Sequence, residues 1–402
     1  MADIANAAQA HASRRETMAR DAAKHLSPLA AISADNWQRL ADNSIEPNGY
    51  YLPDWMSAVN AFAQGRTDVS ALAATAPTFD KASPAALIGL MPVISAWRAW
   101  KLPVPALVNS DPYGTLATPL LDRDMADQAA ALLMQSARDA GAHAIIMRDT
   151  PLHGAAMTTF TRVLEQEGMR PRVLNSHARA CLDATRDADE LLREALGPKK
   201  LKELRRQRNR LAEHGDVIFT IATQPGEIER ALETFLVLEA SGWKAKRGTA
   251  LVQNDGDAAF VRRAVVALAK RGQCEIVTLY AGETPVAAAI VLRHLDRAFY
   301  FKLGVDERFA KLSPGVQLTL DVTRHLCADP DIKTVDSTAI PGHPMIDPIW
   351  RGRLVIGDVL IPLYRNDPFV AAIRFAIFAR NAIREPARRV YHFIRDLREK
   401  KS

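Results

Sequence analysis

Cysteine is scarce in this chain: Cys181, Cys274 and Cys327 stand far apart, with no CxxC and no Cys/His cluster. That spacing excludes a disulfide framework and a structural zinc site, and it points to a reducing compartment. Long apolar runs are lacking too. The nearest, 85–97, is interrupted by Pro92, so no segment reads as a membrane span. The first 25 residues are polar and contain nothing of signal-peptide character. The expectation is a soluble, cytoplasmic protein, with peripheral contact at the inner membrane face as the only membrane role left open. Acidic residues are in deficit, 46 Asp+Glu against 52 Lys+Arg, and the deficit is local. Residues 366–402 hold nine Lys/Arg against four Asp/Glu, and 199–210 hold seven basic residues with Glu203 as the one acid. Partners for the charge are to be sought at those two places.

What is present is ample core material. A hydrophobic fraction of 48% over 402 residues predicts two or three domains. The pattern divides into a helical arm (1–25), a first α/β unit (26–185), a second α/β unit (186–365) and a basic amphipathic helical tail (366–402). In the first unit strands are expected at 87–94, 144–149 and 178–184, with helices at 125–142 and 155–168. A proline-rich segment, LPVPALVNSDPYGTLATPLL, lies between the first strand and the first of these helices. The second unit opens on a basic helix (190–214). A strand (216–222), two helices (226–241 and 256–271) and a further strand near the end (354–364) are also expected.

The densest signal runs from Cys274 to Ser337. CEIVTLY, PVAAAIVLRHL and AFYFKLGV are separated by Ala281-Gly-Glu-Thr and Asp296-Arg297, the signature of an antiparallel meander. After DERFAKLSPG, apolar residues from Val316 to Cys327 keep helical spacing. Ser313 suits the N-cap, Pro314 the first helical position, and Gly315 a close approach of backbone to ligand. Free amides at a helix start attract phosphate, with Arg308 and Lys311 nearby for charge. The ordinary reading is a plain helix cap; the functional one is a diphosphate-bearing cofactor laid against the third strand.

A meander, a phosphate-type helix start and one further strand resemble the cofactor half of the GNAT acyltransferase fold. The finer likeness is to its CelD-like (Acetyltransf_6) branch, related to the Fem-type peptidyltransferases. Four segments carry it: 199–217, 238–251, 299–322 and VDSTAIPGHPMIDPIWRGRLVIGDVLI at 335–361. The usual GNAT phosphate loop reads R/Q-x-x-G-x-G/A. Here Ala310-Lys311-Leu312-Ser313-Pro314 precede Gly315, a version that looks like that of the CelD-like branch. The resemblance implies an α/β fold of tandem GNAT-like domains, each a mixed, largely antiparallel twisted sheet flanked by helices, plus the helical tail. It implies acyl-CoA as co-substrate, held by Leu303, Gly304, Val305, Arg308, Lys311, Ser313, Gly315 and Val316. An oxyanion-binding amide is implied within Phe301–Val305, and no metal.

Acyl transfer needs a neutral amine, a donor for the oxyanion and help for the departing thiolate. Asp336, after a strand near the cleft, is the candidate general base or ammonium anchor; its ordinary reading is a solvated strand end. His343 could relay a proton or simply pack in its proline-flanked loop. Lys302, a charge in an apolar strand, is either an edge-strand lysine or a binder of an anionic group. Glu239, Trp243, Lys244 and Asp347 are candidates for the acceptor side. In the tail, arginines flank an apolar stripe; its ordinary role is packing on the body or a partner, and its second an anionic membrane surface.

The expectation is therefore an N-acyltransferase acting on an amine, such as an amino sugar of an exopolysaccharide or its lipid-linked precursor, by direct attack in a ternary complex. One rival is Fem-like transfer from aminoacyl-tRNA to a cell-wall precursor, the only setting in which nucleic acid would be a partner. The other is a non-catalytic scaffold in a membrane-associated polysaccharide assembly.

Overall fold

The computed structural model describes residues 26–76, 86–241, 248 and 250–382. The expected arm at 1–25 and the tail beyond residue 382 lie outside the described residues. In the first half, a short β1 (Ser27–Pro28) is followed by α1 (Ala34–Asp42) and α2 (Pro53–Phe62). The Ser33 hydroxyl caps α1 by accepting from Asn36 N, and Pro53 takes the first position of α2. Then come β2 (Ser70–Thr75), β3 (Leu87–Ser95), α3 (Ala96–Trp100), β4 (Ala106–Asn109) and β5 (Leu120–Leu121). Helix α4 (Ala126–Asp139) buries Ala129, Ala130, Leu133, Met134 and Ala137, an i, i+4 stripe, and crosses over to β6 (Ala144–Pro151), parallel to β4. Helix α5 (Ala155–Gln166) and β7 (Arg172–Asp183) close the half.

The second half opens on α6 (Ala188–Ala212), capped by Asp187 and kinked where Gly197 takes φ 69° and Pro198 restarts the helix. Beneath its basic surface Leu204 and Leu211 are buried, and Arg208 pairs with Asp321 at 2.8 Å. Strand β8 (Val217–Ala222), α7 (Pro225–Ser241) and α8 (Asp255–Ala269) precede the meander β9 (Cys274–Ala281), β10 (Thr284–His294) and β11 (Arg297–Val305). Helix α9 (Pro314–Cys327) crosses over to β12 (Thr334–Asp336), parallel to β11; β13 (Gly352–Pro362) and a helix α10, described over 368–382, follow. Each half thus repeats one order: antiparallel strands, a crossover helix, then a strand parallel to the last.

The two halves share one continuous thirteen-stranded sheet. Strand β13, expected inside the second unit, instead pairs antiparallel with β6 on one side and β7 on the other, while β7 also pairs with β12. The sheet therefore runs without a break across the expected boundary at 185/186, and β13, late in the chain, lies among the strands of the first half.

Where the halves meet, polar contacts are buried. The Arg179 guanidinium on β7 and the Asp336 carboxylate on β12 form an ion pair, each side chain 1% exposed. Arg179 also donates to Thr115 O (2.5 Å) and Thr115 Oγ1 (2.9 Å), and Asp336 Oδ1 accepts from Thr338 N at 2.9 Å. Nearby His294 accepts from Asn48 N at 2.8 Å through Nδ1 and donates from Nε2 to Ala41 O at 2.9 Å, which requires the neutral ring.

Two stability predictions follow from these contacts. Asp336→Ala leaves a buried guanidinium unpaired and is expected to cost about 3–5 kcal/mol in urea unfolding, much of it recovered when Arg179→Met is added. Burial holds the His294 pKa down at about 4, below the 6.5 of an exposed imidazole. A depressed folded-state value means the unfolded chain takes up the proton first. Stability is then level above about pH 6.5 and falls towards pH 4 by about 3 kcal/mol from this residue, a slope that His294→Gln flattens in pH-dependent denaturation.

Candidate active site

Strand β12 pairs with β11 only from Arg297 to Phe299. Beyond that point the strands part, and Thr338 Oγ1 donates to Tyr300 O at 2.8 Å across the fork. A cavity of about 470 Å³ opens there, lined by Tyr300–Leu303 and Val305 on one wall, Ser337–Ala339, His343, Met345 and Ile346 on another, and Ser313–Val316 at its end. Helix α9 enters this cavity without a side-chain cap. Ser313 stands at the N-cap but in the left-handed region (φ 52°), so its hydroxyl makes no capping bond, and Gln317 N closes the first turn onto Ser313 O at 3.0 Å. Pro314 has no N–H, so Gly315 and Val316 supply the amides at the helix start. Gly315 is also a packing residue, since a Cβ there would lie 3.0–3.3 Å from Leu303, Val305 and Met345.

A second cavity, of about 370 Å³, adjoins the same strand. The first half supplies Tyr50, Arg66, Asp111, Tyr113, Gly114, Thr115, Arg148 and Asp149; the second supplies Phe301, Lys302 and Thr338. The last three line both cavities. Two β-bulges build this junction. In β11 the register passes from Tyr300↔Val291 to Lys302↔Ile290, leaving Phe301 as an extra residue. In β6 it passes from Met147↔Val359 to Thr150↔Gly357, so Arg148 and Asp149 together oppose Asp358. Bulges re-aim side chains, and here both strands turn theirs into one space. Asp149 sits at φ 49°, held by its N–H to Asp358 Oδ1 (3.1 Å) and its carbonyl to Ala117 N (3.1 Å).

The second cavity is rich in charge. Arg66 pairs with Asp111 at 3.0 Å and lies 4.4 Å over the Tyr113 ring, whose hydroxyl donates to Asp257 at 2.7 Å. Burial raises the Asp149 carboxyl above the usual carboxylate range, partly offset by Arg148 beside it. The fully buried Tyr50 hydroxyl lies by Thr338 but outside hydrogen-bonding geometry. Lys302 Nζ donates to Glu239 at 3.1 Å, and Glu239 also accepts from Leu251 N at 3.0 Å.

Several expected site residues come together and others do not. Lys302, Leu303, Val305, Ser313, Gly315, Val316 and His343 all line the first cavity. Gly304 is not among the lining residues; a Cβ there would meet Glu239 N at 2.8 Å, so its lack of side chain lets α7 close on β11. Arg308 chelates Asp306 with contacts of 2.7–3.0 Å and borders a different hollow; Lys311 is exposed and outside the cavity lining. Asp336 is no solvent-facing base; its pair with Arg179 encloses it. Glu239 is buried under Lys302 rather than facing an acceptor, and Asp347 turns away to Arg353 at 3.6 Å. Trp243 and Lys244 lie outside the described residues. The charged group around Asp111, Tyr113, Arg148 and Asp149 was not foreseen. The Asp-Pro-Tyr-Gly turn at 111–114 marked a loop, but nothing local tied it to residues from the second half.

Residues 198–342 match the family described as "Acetyltransferase (GNAT) domain". No curated protein matches the chain in sequence. Among solved structures the chain is similar to FemX, at 10% identity and a TM-score of 0.53, over 86% of this chain and 99% of that one. It is also similar to the C-terminal domain (DUF2156) of a putative lysylphosphatidylglycerol synthetase from Agrobacterium fabrum, at 11% identity and a TM-score of 0.50, over 86% and 96%. A tandem GNAT protein from the clavulanic acid biosynthesis pathway matches at 13% identity and a TM-score of 0.40, over 85% and 99%. Residues 198–342 of this chain are thus similar in sequence to an acetyltransferase (GNAT) domain, and they sit in a larger fold similar to that of FemX.

Proposed function

We propose that the protein is an N-acyltransferase that moves an acyl group from acyl-CoA to an amine, with an amino sugar of an exopolysaccharide or its precursor as the acceptor class. One observation carries the reading: two cavities of different character share Phe301, Lys302 and Thr338 as a common wall at the bulge in β11. The apolar-walled one ends on the free amides of Gly315 and Val316, which suit a diphosphate. The charged one, with carboxylates and the flat Tyr113 ring, suits a polar, hydroxyl-rich acceptor carrying an amine.

In this reading Asp149 takes the proton from the attacking amine. A carboxyl raised by burial is a better match to that task than an ordinary one. The amine nitrogen bonds to the thioester carbon, a backbone amide near Phe301 steadies the oxyanion, and the C–S bond breaks. Lys302, anchored by Glu239, offers a positive field to the thiolate, which is then protonated from water. Asp336 acts at one remove, by holding Arg179, Thr115 and Thr338 where the cavities meet.

Two experiments test the reading. Calorimetry is expected to give binding of acetyl-CoA and free CoA by the native chain. Val316→Glu, a favourable residue for the third helical position, keeps the fold yet sets a carboxylate against the diphosphate and weakens binding about tenfold. Native protein that binds neither ligand would remove the donor assignment. Asp149→Asn is expected to lower thiol release with amino-sugar acceptors by roughly a hundredfold while leaving CoA affinity unchanged. The native rate should rise with pH through the raised Asp149 pKa, and the variant should lose that limb; equal pH profiles would exclude Asp149 as the base.

A further inference from the structure

Helix α10 starts from a firm anchor. Asp367 accepts from Phe369 N at 2.9 Å, Pro368 follows as the first helical residue, and Asp367 Oδ2 lies 2.7 Å from His143 Nδ1. Val370, Ile373 and Ile377 then pack with Ala106, Ile146 and Leu360 on β4, β6 and β13. That single stripe holds the helix to the body. The opposite side carries Ala371, Phe375, Phe378 and Ala382 at spacings of four, three and four, and both phenylalanines are 71% exposed. A helix apolar on two opposite sides is one that meets a second surface.

The groove beside it identifies that surface. A hollow of about 640 Å³ is lined by four arginines, Arg170, Arg172, Arg365 and Arg374, against two carboxylates, Glu165 and Asp367, the latter already paired with His143. Arg374 and Ala371, which also lines the hollow, belong to α10, so the groove borders the exposed stripe. Among the described residues Arg172, Arg365 and Arg374 have no carboxylate partner, and Arg170 reaches Glu165 only at 3.9 Å. Unpaired cations beside exposed aromatic rings match the phosphate and acyl layers of a lipid surface. A second copy of the chain is a poorer occupant, because a two-fold contact would set these arginines against each other. The chain's own residues 383–402, with seven Lys/Arg and three Asp/Glu, would also be repelled by the groove. Among the described residues no helix is long and apolar enough to cross a membrane, so the contact is one of lying on the surface.

We propose that α10 and its arginine groove dock the protein on an anionic lipid surface, with Phe375 and Phe378 entering the interface and Arg172, Arg365 and Arg374 meeting lipid phosphates. This stands independently of the acyl-transfer reading. The test is flotation of the full chain with phosphatidylcholine vesicles and with vesicles also containing phosphatidylglycerol. Salt-sensitive binding to the second and none to the first is expected. Phe375→Ser with Phe378→Ser, both at exposed positions, should keep the melting temperature and lower partitioning on the order of tenfold or more. Arg172→Glu and Arg365→Glu should each lower it roughly fivefold. Equal binding to neutral vesicles, or full binding by the double phenylalanine variant, would overturn the proposal. A native dimer that the double variant converts to monomer would likewise overturn it, by assigning the stripe to self-association.

Discussion

The structure turns on the buried pair of Arg179 and Asp336. The two strands that bear them, β7 and β12, are neighbours at the seam where the sheet passes from one half of the chain to the other. Two charges taken out of water are tolerable only if each is paired and hydrogen-bonded. Here the other bonds go to Thr115, which lines the second cavity, and to Thr338, which lines both, while Arg179 Nε is left without a partner among the described residues. The interaction that makes the seam polar therefore also holds residues that line the site. Thr115 Oγ1 donates to Thr338 O at 2.9 Å, so the first-half loop and the segment after β12 are fixed to each other as well as to the pair.

Much of this was legible in the sequence wherever the signal is local. The meander and α9 were readable because alternation and helical spacing act within a few residues. Lys302 was noticeable as a charge in an apolar strand, and the structure puts its ammonium on the wall common to both cavities. Asp336 was visible as a polar residue at a strand end, but its partner lies 157 residues away, and burial changed its meaning from base to anchor. Strand β13 was recognisable by its run of β-branched residues, yet no pattern within it names β6 and β7 as neighbours. Asp149 escaped for a related reason: its exposure to the cavity comes from a bulge opposite Asp358, a property of pairing rather than of either strand alone.

The helix start shows how one residue type can serve an end by a different route. Serine at an N-cap usually contributes its hydroxyl to the first-turn amides. Ser313 takes a left-handed conformation instead and leaves them without that cap. Such a conformation costs on the order of 1–2 kcal/mol for a residue with a Cβ. It is held by Ser313 N bonding to Ala310 O at 3.1 Å and by Gln317 N on Ser313 O. The result is a helix start at the end of the cavity whose first amides receive no side-chain cap.

The two halves use the same fork differently. In the first half β4 and β6 pair over three residues, as β11 and β12 do in the second. There the fork is filled: Asn109, 1% exposed, donates to Ala117 O and Arg148 O and accepts from Arg148 N. Segment 110–118 then runs across the gap and delivers Asp111, Tyr113 and Thr115 to the second cavity. The segment that closes this fork is thereby part of the wall of the second cavity. Strand β13 returns to the first half along the same bulge: it pairs with β6 on both sides of Arg148 and Asp149, and so holds the strand that brings Asp149 to the cavity Lys302 also lines.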